Sequence, residues 1–153
     1  MGPNGAPYVN PDQIPLPAAT LNLATDSQKL QACLDASEQA DSYMRGRYAL
    51  PLLAWGNDIT RNTGYIAAFL LMQFIGYAPQ AGSDQNVLGN LYLATGYPDR
   101  AGTGFFPGIQ AQRVHPDVTP AVAQPGDPGH DVPQVFTSQQ RGWNQRFGRP
   151  RIG

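Results

Sequence analysis

The chain has 153 residues, with Lys+Arg 10 against Asp+Glu 11, a formal net charge of −1 and a pI near 6.0. As a whole it therefore carries no electrostatic footprint for wrapping nucleic acid. Charged residues make up 14% of the chain, well below the roughly 25% of an ordinary globular protein. Hydrophobic residues reach 41%, too many for a low-complexity disordered chain, so the numbers fit one domain whose weakly charged surface can meet other protein at low desolvation cost. A loop-rich monomer fits the composition equally well.

Pro3, Pro7, Pro11, Pro15 and Pro17 are spaced so that no helix can run through residues 1–24, which reads as an extended N-terminal arm in need of a surface to lie on. The opening residues have neither the basic start nor the apolar stretch of a secretory signal, and Ala6 stands where a myristoylation signal wants Ser or Thr. The first helix is predicted from Thr25, where Thr25-Asp26-Ser27-Gln28 has the capping-box pattern. Leu30, Cys33, Leu34, Ser37, Ala40 and Met44 then recur at steps of three and four on one face, and Gly46 offers a left-handed stop. Cys33 is the only cysteine, which excludes an intramolecular disulfide and a thiolate metal cluster and suits a reducing compartment.

Residues 47–56 read as a link, because Pro51 forbids helix continuation. A second helix over residues 57–77, capped by Asn57 or Asp58, carries Tyr65, Ile66, Phe69, Leu70, Met72, Phe74 and Ile75 on more than one face and belongs at a bundle centre or an interface. A third, over residues 83–95, shows Val87, Leu88, Leu91 and Tyr92 and ends at Gly96 before Pro98. The fold class is therefore mainly α: a small bundle of three or four helices over residues 25–96, flanked by long extended arms. From residue 97 glycine and proline recur too often for a long element, so residues 97–153 read as a Gly/Pro-rich extended region and tail. Only residues 134–138, with Val135 and Phe136, suit a short strand.

The chemistry of enzymes is missing its usual parts. His115 and His130 lack metal-binding spacing, Asp35 and Glu38 sit one turn apart on a polar helix face, and no nucleotide, serine-hydrolase or metallohydrolase motif is present. A non-enzymatic role without cofactor or metal is the expectation.

The most informative string is ADSYMRGRYALPL, residues 40–52. Asp41 and Arg45 stand four apart in the order that favours a helix-surface ion pair, and Arg47 and Tyr48 bring a cation beside a ring before Pro51 turns the chain. A helix cap plus turn and an interface role both fit it. With the hydrophobic helix that follows, the string resembles the head-to-tail adaptor family of tailed bacteriophages, especially its Mu-like branch. The matching positions are Asp41, Tyr43, Gly46, Arg47, Tyr48, Leu50, Pro51 and Leu52. Val135-Phe136-Thr137-Ser138 with Arg141-Gly142 resembles the ending of the same family, and residues 97–133 look like an insertion.

The resemblance implies a homo-oligomeric, dodecameric ring beneath the portal protein, a head-closure or tail-completion protein on its far side, and DNA passing through the lumen without sequence-specific binding. It places the protein at the virion neck, reached from the host cytoplasm during assembly, with no membrane. Arg141, Trp143, Arg146, Phe147, Arg149 and Arg151 form a basic tail rich in hot-spot residue types, expected with Val135 and Phe136 to dock on the portal. Two alternatives stay open: a nucleic-acid contact through the same arginines and rings, and another neck component such as a head-closure or tail-terminator protein.

Overall fold

A hydroxyl and a glutamine side chain start the first long helix. Thr25 Oγ1 accepts from the Gln28 backbone N–H at 3.3 Å and Gln28 Oε1 accepts from the Thr25 N–H at 2.9 Å, the capping box that the sequence predicts. In the computed structural model, which describes residues 1–76, 82–100 and 102–120, the elements run α1 (Ala18–Leu21), α2 (Asp26–Met44), β1 (Leu52–Trp55), α3 (Asn57–Ile75), α4 (Gly82–Thr95), α5 (Phe105–Gln110) and β2 (Val118–Pro120). The fold is mainly helical. All described residues lie in the compact unit spanning residues 1–122.

Helices α2 and α3 pack along one another, and α4 lies on α3. The buried face of α2 is Ala32, Cys33, Ala36, Ser37, Ala40, Asp41 and Met44, whereas Leu34 is half-buried and Leu30 is 47% exposed. The periodicity of the leucines thus points about one residue position away from the true seam. The buried residues of α2 are mostly small, as are Gly64, Ala67 and Ala68 on α3, and small residues let helix axes approach more closely than leucines would. Helix α3 is the centre of the bundle, with Ile59, Ile66 and Leu71 fully buried. Its N-cap is Gly56 rather than Asn57 or Asp58, and the Asp58 carboxylate instead accepts from Ile59 N–H at 2.8 Å and from Asp117 N–H at 3.4 Å.

The region expected to be extended from residue 97 contributes to the core. Helix α5 buries Phe106 and Ile109 completely, and β2 pairs antiparallel with β1 in the register Leu52↔Pro120, Ala54↔Thr119, Trp55↔Val118, with an irregularity at Leu53. The physical reason is a pair of glycines. Gly96 (φ +90) and Gly104 (φ +94) cross back to back: a Cβ on Gly104 would lie 2.3 Å from Gly96 N, and one on Gly96 would lie 2.2 Å from the Thr103 carbonyl oxygen. Glycines that break long elements here allow a tight return onto the bundle.

The N-terminal segment also lies on its own chain. Residues 1–16 form a strap with turns at Pro3–Gly5 and Pro11–Gln13, and it buries Tyr8, Val9 and Ile14. Gly64 of α3 makes the seat, since a Cβ there would approach Pro15 Cδ at 3.3 Å and Val9 Cγ2 at 3.6 Å.

Candidate functional site

The string at residues 40–52 occupies the last turn of α2, a two-step turn and the entry to β1. The Met44 carbonyl accepts from both Arg47 N–H (2.8 Å) and Tyr48 N–H (2.9 Å), which closes the helix without a left-handed residue. Gly46 is accordingly outside the positive-φ region and its missing Cβ faces open space. Its predicted role as a left-handed stop belongs to Gly96 instead.

Asp41 is the polar anchor of this end of the molecule. Asp41 is 9% exposed and does not pair with Arg45, which is exposed. It accepts from the Tyr8 hydroxyl at 2.5 Å, and its other oxygen pairs with the Met1 amine. The Tyr8 hydroxyl also lies 3.0 Å from the Met1 carbonyl, but it has one proton, and the nearer, charged acceptor is the carboxylate. The i, i+4 spacing of Asp41 and Arg45 permits an ion pair, and the strap supplies a better one.

Every polar group of Tyr8 is engaged. Its N–H donates to Ser37 Oγ at 2.9 Å, its carbonyl accepts from Trp55 Nε1 at 3.1 Å, and its ring meets the Trp55 ring edge-on at 4.9 Å. Ser37 in turn donates to the Cys33 carbonyl at 2.7 Å. Burial, then the hydrogen bond to Asp41 and the charge of that carboxylate, push the Tyr8 phenol well above its ordinary value. Burial lowers the Met1 amine against the opposing pull of Asp41. The Cys33 thiol is pushed up to about 11, first by burial and then by the charge of Asp12.

The other signature residues surround this anchor. Tyr43 stacks on Phe106 of α5 at 5.9 Å, Tyr48 is buried with the Arg47 guanidinium 5.9 Å from its ring centroid, and Pro51, joined to Leu50 by a cis peptide, is exposed. Val135, Phe136, Arg141, Trp143, Arg146, Phe147, Arg149 and Arg151 lie outside the described residues, as does His130. Tyr8, Ser37 and Trp55 are the site residues that sequence reasoning misses. Only Tyr8, an aromatic inside a proline-rich arm, gives a signal that the arm is anchored.

Three clefts line the second half of the strap. The largest, about 520 Å³, is walled by Gln13 and Pro15 against Asn57, Asp58, Thr60 and Arg61. One of about 320 Å³ lies among Pro11, Asp12, Leu21, Asp26 and Lys29, and one of about 150 Å³ lies where Leu16 and Pro17 face Met72 and Val87. Among the described residues no group of three His, Cys, Asp or Glu side chains could hold a metal ion, and no helix is long and apolar enough to cross a membrane.

Residues 12–87 match the model of the family described as Bacteriophage Mu, Gp36. No curated protein and no solved structure matches the chain. The matched stretch takes in α2, the string at residues 40–52, all of α3 and the first part of α4. The match supports a phage protein of Mu-like type.

Proposed function

On the premise of a phage protein of Mu-like type, we propose that the chain is a structural head-to-tail adaptor: one copy in a ring that lies under the portal protein, joins capsid to tail and surrounds the DNA channel at the virion neck. The observation that carries this reading is the family match over residues 12–87, which encloses the signature string now seen as a built corner of the fold. The chemistry is mechanical rather than catalytic. The wedge formed by α2, α3 and α4 leaves Leu30, Phe74 and Leu93 about half exposed, as β1 leaves Leu53, apolar area that contact between copies can bury.

Native mass measurement tests the proposal, on the purified chain alone and then mixed with portal protein from the same phage. A closed ring that binds portal is the expected result. A monomer that stays monomeric with portal present overturns it, and a ring that binds only the tail side would instead favour a head-closure or tail-terminator role.

A further inference from the structure

We propose that the strap, residues 1–16, is an exchanged element: in the assembled ring it leaves its own groove and fills the same groove on the next copy. Ser37, Asp41 and Trp55 of each copy then receive the Tyr8 of a neighbour. The inference rests on the ring reading above and names the contact that would close the ring.

The occupant of the groove is known, because this chain's own strap fits it. Tyr8 and Val9 are 2% and 1% exposed, and Tyr8 satisfies Ser37 Oγ, the Asp41 carboxylate and Trp55 Nε1 together. Emptying the groove would strand those buried groups, so it must be filled by this segment, from the same copy or another. Exchange keeps each of these contacts, and its energetic difference from the closed form is confined to the hinge and to the cost of association.

The hinge is visible as a change in packing along the strap. Residues 8 and 9 are sealed and Ile14 is buried, whereas the three clefts described above are lined by other residues between 11 and 22. Pro17, Ala18, Ala19, Asn22 and Leu23 are exposed, with Leu23 at 73% the most exposed large apolar side chain among the described residues. A sealed anchor followed by a loosely seated, proline-stiffened joint is the arrangement that lets an anchor travel as a unit. Because each copy would donate its strap to one neighbour and receive a strap from the other, the contact is head-to-tail, the geometry that generates rings when the rotation closes.

Asp12 and Lys29 line one cleft from opposite sides, the strap and α2, which gives the test its handles. In a Cys33→Ala background, chains carrying Asp12→Cys are co-assembled with chains carrying Lys29→Cys and treated with a short bis-maleimide. The expected result is an interchain product joining the two variants in the ring fraction and its loss in the monomer fraction. The double variant Asp12→Cys/Lys29→Cys, cross-linked as a monomer, should lose ring assembly that the untreated double variant retains. Rings built normally from locked chains overturn the exchange and leave the adaptor reading standing. Wild-type chains that never form rings with portal present overturn both.

Discussion

Tyr8 and Asp41, 33 residues apart in the chain, meet hydroxyl to carboxylate at 2.5 Å in a largely buried setting. This single contact ties the proline-rich arm to the end of the helix that carries the signature string. Asp41 stands inside that string because its carboxylate receives the arm, which is a structural reason for an acidic residue one turn before the helix ends.

Tyr8→Phe removes the donor and leaves the carboxylate short of a partner. A charge-assisted bond of this kind contributes about 1.5–3 kcal/mol. Urea denaturation of the purified variant should show a stability loss in that range, and Tyr8→Phe in an Asp41→Asn background should cost less. Equal losses in both backgrounds would show that the two residues do not act through one another.

The glycines separate into two kinds. Gly96→Ala and Gly104→Ala combine a left-handed backbone with a Cβ driven into backbone atoms, so each should cost well over ~1 kcal/mol. Gly46→Ala meets open space at an ordinary φ and should be neutral or stabilising by about 0.4–1 kcal/mol through the unfolded chain. Thermal melts of the three variants check the order; a destabilised Gly46→Ala would refute the account of how α2 ends.

Phe106 is fully buried and stacks with Tyr43 and edge-on with Phe105. Phe106→Ala should cost about 3–5 kcal/mol. A chain stopped after residue 96 should fail to give a cooperative unfolding transition, because it lacks α5 and β2. A cooperative melt from that fragment would restore the bundle boundary that the sequence predicts.

Cys33 and Tyr8 make stability depend on alkaline pH. Both groups are neutral when protonated, and both hold the proton to higher pH in the folded state than in the unfolded chain. Their contribution is therefore complete below pH 9, the ordinary value for the thiol, and is lost as pH rises towards about 11 for Cys33 and beyond 10 for Tyr8. Urea midpoints should fall above pH 9, with the onset of that fall moved towards pH 10 in Cys33→Ala. The native thiol should react slowly with a disulfide reagent and quickly in denaturant, since the thiolate is the reactive form.

Deleting residues 141–153 removes the basic, aromatic tail while leaving the compact unit of residues 1–122 intact. The truncated chain should keep its helical circular dichroism and its ring but lose attachment to portal. Normal attachment would reject the tail as the docking element, and DNA affinity that falls steeply with salt and vanishes on truncation would favour the nucleic-acid alternative.

Local signals were legible without the structure. Thr25 and Gln28 announce the start of α2, Gly96 before Pro98 announces the end of α4, and the prolines up to Pro17 exclude a long helix before α2, because each acts within one turn of backbone. Arg47 beside Tyr48 was readable for the same reason. What tertiary structure decided depends on partners far along the chain. α2 buries alanines and a serine rather than Leu30 in the packed bundle, Asp41 takes Tyr8 rather than Arg45 because the strap arrives there, and residues 105–120 join the core because two glycines let the backbone cross. Spacing along a chain states which pairs can meet; the free energy of burying surface and satisfying polar groups selects the pairs that do.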